Sequence, residues 1–126
     1  MSSMITDQAP VGFDDALPEA SDVVVIGGGI AGIATAYFLA KRGLSVTVCE
    51  KGRVAGEQSS RNWGWIRQQG RDWAELPIMM ESNRIWRSLA EETGESGLTF
   101  TESGCLHLTE TEAGLKKYED WLEIAR

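Results

Sequence analysis

Gly27, Gly29 and Gly32 lie in the run "GGGIAG", spaced as G-x-G-x-x-G. The first glycine permits a tight turn. The second lets a pyrophosphate approach the backbone, and the third lets a helix lie close on a strand. Ile30 and Ala31 fall at the start of that helix, where free N–H groups and a partial positive charge suit phosphates. Glu50 follows Gly32 by 18 residues, with Lys51 beside it. A carboxylate there can accept hydrogen bonds from ribose hydroxyls, and it would repel a 2′-phosphate.

A second set of residues lies just beyond, in "GEQSSRNWGW" from Gly56 to Trp65. Ser59, Ser60 and Asn62 offer hydrogen bonds and Arg61 offers charge. Trp63 and Trp65 offer flat surfaces, with Gly64 as a gap for close approach. Two Trp in a polar loop are costly to leave in water without a partner. From Lys51 to Arg71 there are five cations (Lys51, Arg53, Arg61, Arg67, Arg71) and one anion, Glu57. The whole chain carries a net charge of −7. A basic island in an acidic chain suggests a local anion site. The acidic balance argues against nucleic acid and against an anionic membrane surface.

These residues need elements to position them. "DVVVIG" reads as a fully apolar strand, the kind covered on both faces of a parallel sheet. Ile30 to Arg42 reads as a helix, kept slim by Ala36 and stopped by Gly43. "LSVTVCE" reads as a second strand ending at Glu50. The result is a β-α-β unit with parallel strands. A glycine-rich structural turn would carry the same glycines. The strand before, the helix after and the acid at the next strand's tip favour dinucleotide binding. The run "VVVIGGGIAGIATAYFLA" is long enough to raise a membrane span. Its glycines and the following "KRG" fit strand, turn and helix better. No basic segment precedes an apolar one at the N-terminus, so no secretory signal is visible.

The remaining chain predicts a loop from Lys51 to about Glu75. A helix over "LPIMMESNRIWRSLAEETG" follows, with Pro77 in its first turn and Gly94 closing it. Met79, Met80, Ile85, Trp86 and Leu89 are expected to pack. "LTFTESGCLHLTE" predicts a strand pair turning at Ser103-Gly104, with His107 on a sheet face. Thr109 and Glu112 have capping-box spacing. Leu115, Tyr118, Trp121, Leu122 and Ala125 then form one apolar face of a last helix. Cys49 and Cys105 lack metal-ligand spacing, and no metal site is expected. They read as buried, reduced thiols, which fits a reducing, cytoplasmic compartment. The domain reading is a flexible acidic leader over 1–20, a dinucleotide-binding unit and loop over 21–75, and the start of a second domain over 76–126. One β-α-β unit is a small share of a doubly wound sheet, so the chain reads as the front of a larger protein.

At "DVVVIGGGIAGIATAYFLAKRGLSVTVCEK", "SSRNWGWIRQQGRD", "LPIMMESNRIWRSLAEETG" and "FTESGCLHLTETEAGLKKYEDW", taken in this order, the sequence resembles the FAD-dependent amine and amino-acid oxidoreductases. That family includes sarcosine oxidase, glycine oxidase and D-amino acid dehydrogenase. The resemblance implies an α/β fold: a Rossmann-like FAD-binding unit of the glutathione reductase type, then the start of an α+β substrate domain. It implies FAD, with Gly27, Gly29 and Gly32 at the pyrophosphate and Glu50 and Lys51 at the adenosine ribose. Ser59, Ser60 and Arg61 would line the path to the flavin, and Asn62, Trp63 and Gly64 would lie near its ring. Arg67, by its place in "WIRQQGRD", would meet a substrate carboxylate, which a guanidinium matches bidentately. The loop contains no His, so non-covalent attachment is expected. The implied reaction is oxidation of the C–N bond of an amine or amino acid, with the remaining chain or a partner subunit completing the enzyme. Two other readings stay open. One is a non-catalytic dinucleotide-binding module or subunit of a multi-chain oxidoreductase. The other is an NAD-dependent dehydrogenase domain, against which the long Trp-bearing loop counts.

Overall fold

The computed structural model describes residues 4–6 and 8–125. The chain divides into two compact units, Met1–Trp65 and Ile66–Arg126, so it parts ahead of the expected boundary at 75.

In the first unit, β1 (Val23–Ile26) and β2 (Val46–Cys49) pair in parallel, and α1 (Ile30–Ala40) connects them. The register sets Val23 opposite Val46 and Ile26 opposite Cys49. A parallel pair cannot be closed by a tight hairpin, so the crossover helix is required. α1 packs on both strands. Alternation along β1 turns Val23 and Val25 toward that cover and leaves Val24 and Ile26 on the other face, 59% and 90% exposed. The expectation of a strand covered on both faces is therefore corrected. One helix covers one face, and no hydrophobic side chain is fully buried among the described residues.

Two polar latches tie the strand starts together. The Asp22 carboxylate accepts from the Ser45 amide at 2.8 Å and the Ser45 hydroxyl at 2.7 Å. The Ser21 and Thr47 hydroxyls share a hydrogen bond. The Ser45 hydroxyl, and then its amide, hold the Asp22 carboxyl below its usual range. α1 ends two residues early, at Ala40, and Lys41 to Gly43 form the turn, with Gly43 at φ 85°.

In the second unit, α2 (Leu76–Thr93) has Pro in its first turn and ends at Gly94, left-handed at φ 73°. Its covered stripe runs through Met79, Asn83, Trp86 and Leu89, and Asn83 is the most buried of these. Met80 is 57% exposed, so it does not share the packing expected of Met79. After Gly94 the chain returns along α2. Phe100 stacks on Trp86 at 6.5 Å, and Glu102 pairs with Arg87 at 2.6 Å.

The strand pair expected in this return is not formed: among the described residues, 98–109 carries no strand. Alternating apolar residues make a backbone extended, but a two-stranded hairpin alone is marginal and needs a third strand or a covering helix. Leu106 and Leu108 stay exposed, and Gly104 alone keeps the turn conformation at φ 75°. Cys105 is exposed, which corrects its reading as a buried thiol; Cys49 is half-buried. His107 is on no sheet face. Its ring lies 5.5 Å from that of Tyr118, and its Nε2 lies 3.2 Å from the Cys105 sulfur.

α3 (Glu112–Ala125) is capped by Thr111, whose hydroxyl accepts from the Gly114 amide at 3.1 Å. The capping box expected from Thr109 is corrected by this. A hydroxyl two residues nearer the helix takes the bond, and Gly114 at the third helical position has no side chain to reciprocate.

Candidate dinucleotide site

The glycine turn begins where the ladder ends, with the Gly27 amide donating to the Cys49 carbonyl at 2.8 Å. Gly27 has φ 107°, a conformation that side chains disfavour. At Gly32 a Cβ would fall 2.0 Å from the Gly27 carbonyl oxygen. This close helix-to-turn approach is what the third glycine is for.

Gly29 is the N-cap of α1 and has no side chain to serve as cap. The loop supplies one instead: the Ser59 hydroxyl accepts from the Ile30 amide at 2.8 Å. The short helical turn Gln58–Ser60 presents it there. Because the Ser59 oxygen accepts this bond, its own proton remains available to a phosphate oxygen. Ala31 and Gly32 are also in the first helical turn, whose amides have no carbonyl one turn back.

Glu50 is held at both oxygens. One accepts from the Gly28 amide at 2.7 Å, the other from the Gly52 amide at 2.8 Å. These two donors, Gly28 first, hold the carboxyl below its usual range, and the Lys51 charge adds to the effect. A carboxylate has about four acceptor sites, so two bonds leave room for ribose hydroxyls.

Gly28 is a member of this site that the motif does not single out. It is buried, and a Cβ there would meet the Glu50 Cβ at 3.1 Å. Its carbonyl accepts from the Ala55 amide at 2.9 Å, and Ala55 is left-handed at φ 59°. The triple glycine was the visible signal for Gly28. Nothing in the sequence marked Ala55.

The rest of the loop divides into residues that build it and residues that it displays. Ser60 donates to the Glu57 carbonyl, and Arg61 pairs with the Glu57 carboxylate at 3.4 Å. The Asn62 side chain donates to the Ser59 carbonyl at 2.6 Å and accepts from the Gly64 amide at 2.7 Å. Trp63 and Trp65 meet edge to face at 5.9 Å across Gly64, and they are 84% and 63% exposed.

Arg67 belongs to the second unit, where it donates to the Gln69 carbonyl across the turn at Gly70. Glu50, Gly52, Arg53, Gly56, Glu57, Arg61 and Thr6 line an open cleft of about 260 Å³ beyond the end of β2. Thr6 was read as part of a loose leader, and nothing in the leader's sequence marked it as a wall of this cleft.

The arrangement has the parts a dinucleotide needs: amides at a helix start, a fixed carboxylate at the neighbouring strand tip, and a hydroxyl between them. Among the described residues no group of three or more His, Cys, Asp or Glu is placed to hold a metal ion. No described helix is long and apolar enough to cross a membrane.

The chain is similar to the sarcosine oxidase subunit beta of Arthrobacter sp, 41% identical over 92 residues, which is 71% of this chain and 22% of that protein. It is 31% identical over 99 residues to the mitochondrial pyruvate dehydrogenase phosphatase regulatory subunit of Mus musculus, covering 77% of this chain and 11% of that one. The solved structure of L-amino acid deaminase from Proteus myxofaciens superposes with a TM-score of 0.83 at 39% identity, over 89% of this chain and 25% of that one. The chain thus spans a quarter or less of the length of these three relatives. The sequence profile of the FAD dependent oxidoreductase family matches residues 22–126, and the chain belongs to that family.

Proposed function

We propose that this chain forms the FAD-binding start of an oxidoreductase that oxidises the C–N bond of an amine or amino acid. The observation that carries the reading is the double closure of the glycine turn, by Glu50 on Gly28 and by Ser59 on Ile30. It fixes a ribose acceptor and a phosphate donor on either side of the helix start. Gly27, Gly29, Ile30, Ala31 and Gly32 then cradle the pyrophosphate, and Glu50 with Lys51 takes the adenosine ribose. Ser59, Ser60 and Arg61 lead toward the flavin, and Asn62, Trp63 and Gly64 lie near its ring.

When bound, FAD accepts the hydride that leaves the carbon next to the substrate nitrogen. Residues 51–75 contain neither His nor Cys, which supports non-covalent attachment. Arg67 binds the substrate carboxylate. The substrate pocket is completed by chain beyond this stretch or by a partner subunit. The relatives named as an oxidase subunit and a deaminase support the amine or amino-acid substrate class. Both cysteines are free thiols, which supports a cytoplasmic location.

Similarity to a protein named as a regulatory subunit favours a second reading, in which the fold binds a dinucleotide without turnover. One experiment separates the two. The full-length gene product is examined by absorbance and then mixed anaerobically with D-, L- and N-methyl amino acids. Flavin bands near ~450 nm that bleach with one substrate class establish the oxidoreductase. Bands that no amine bleaches leave the non-catalytic reading. A colourless protein that binds NAD overturns both.

A further inference from the structure

Residues 4–20 precede the stretch that the family profile matches, so whatever they do is an addition to the family's common part. They are not all remote from the site. The Arg53 guanidinium donates through Nε to the Ala9 carbonyl. The Ala9 amide donates back to the Thr6 carbonyl at 3.0 Å, closing a turn. Thr6 then lines the same cleft as Glu50, Gly52, Gly56 and Arg61. At about 260 Å³ the cleft is smaller than the roughly 300–1,000 Å³ of sites that enclose a whole small ligand. It suits one end of a dinucleotide. Glu50, the ribose acceptor, forms its inner edge, so the end it takes is the adenine.

We propose that the segment from Thr6 to Ala9 is a strap forming the outer wall of the adenosine end of the cofactor site, fastened there by Arg53. The inference rests on the FAD reading above. Its physical content is linkage. A wall that contacts bound cofactor slows cofactor loss, and bound cofactor must hold the wall in place by the same factor. Arg53 is a positioning residue here: it acts on the cofactor through the backbone of Ala9.

The test uses the full-length protein, freed of flavin and titrated with FAD. Deleting residues 1–10 should raise the FAD dissociation constant about fivefold, the scale of one lost hydrogen-bonded contact. Arg53→Met keeps the leader and the aliphatic stem and should do the same. The two changes together should do no more than either alone, because they remove one interaction. In the unaltered protein, FAD should slow hydrogen exchange in the N-terminal peptide ending at Phe13. A dissociation constant unchanged within about twofold in both variants, with no protection of that peptide, overturns the strap and leaves the FAD reading intact. Failure of the unaltered protein to bind FAD overturns both at the first step.

Discussion

The two units use their polar residues differently. In Met1–Trp65, side chains bond backbone and side-chain groups far along the sequence. Glu50 reaches Gly28, Asp22 reaches Ser45, Ser21 reaches Thr47 and Ser59 reaches Ile30, at separations of 22, 23, 26 and 29 residues. In Ile66–Arg126 most ion pairs are local: Arg71 with Glu75, Arg84 with Glu81 and Lys116 with Asp120, three or four residues apart. Arg87 with Glu102 is the longer link. Local pairs on helix surfaces add a little helix stability. The long-range bonds do something else: they fix a carboxylate and a hydroxyl around a helix start. A change in the first unit should therefore alter what the protein holds, and a change to a surface pair in the second should alter little.

The largest effect is expected at Gly32. Valine there places its Cβ, 2.0 Å from the Gly27 carbonyl oxygen, where no side-chain movement can relieve it. The helix must separate from the turn. Gly32→Val in the full-length protein should yield protein without flavin bands, measured as the flavin-to-protein absorbance ratio. Retention of a full flavin complement would break the assignment of this turn to the cofactor.

Arg67 offers the sharpest way to break the comparison from the other side. It lies in the second unit, yet its proposed partner is the substrate. Arg67→Ala should lower kcat/KM about a hundredfold for substrates with a carboxylate and leave the flavin complement unchanged, as for a lost bidentate pair. An equal loss for amines without a carboxylate would show that Arg67 only shapes its own turn with Gln69.

Glu50 comes next, and it carries a pH signature. Its carboxyl is held below the ordinary value of 4.5, first by the Gly28 amide and then by the Gly52 amide. The ionised form is the bonded form, so its contribution is fully present above pH 4.5 and is lost as pH falls through the lower folded value. FAD retention should stay flat from neutral pH down to 4.5 and fall only in more acid solution. Glu50→Gln can accept one of the two amides but turns an N–H toward the other. Its FAD dissociation constant should rise on the order of tenfold and lose the acid limb attributable to this group. An unchanged acid limb in Glu50→Gln would assign it to another carboxylate.

What the sequence made legible follows the same division. The β-α-β unit was readable because glycine spacing, apolar strands and the acid at the strand tip each have a local physical reason and agree with one another. α2 was readable from Pro77 and Gly94, whose backbone preferences mark helix ends. Three things were not readable. Residues 98–109 alternate as strands do, but pairing depends on a partner that the pattern cannot supply. Thr109 and Thr111 are chemically equivalent caps, and a shift of two residues decided between them. The latches at Asp22 and Ser45, and the left-handed Ala55, depend on contacts between segments that carry no shared motif. Ser59 lay between these cases: its chemistry was visible, but its partner, the Ile30 amide, appears only once the loop folds back.

Ser59 and Arg84 give the two smallest effects, and together they sharpen the comparison most. Both side chains are exposed and both make a short hydrogen bond. Arg84 pairs with Glu81 on the surface of α2 at 2.6 Å, and Glu81 in turn raises its already high pKa. Contact geometry alone would rank that pair above the 2.8 Å bond from Ile30 to Ser59. The physical argument ranks them the other way. An exposed pair exchanges one set of hydrogen bonds for water's and contributes close to nothing. Ser59 satisfies a helix-start amide that no other side chain caps, and its proton is positioned for a phosphate. Removing such a cap costs about 1 kcal/mol. Ser59→Ala should therefore weaken FAD binding several-fold with little change in kcat at saturating FAD, and Ser59→Thr should restore most of the loss. Arg84→Ala should leave the FAD dissociation constant and the melting temperature within error. If Arg84→Ala weakens FAD binding as much as Ser59→Ala does, position in the first unit is not what makes a polar residue part of the site, and the division drawn between the two units fails.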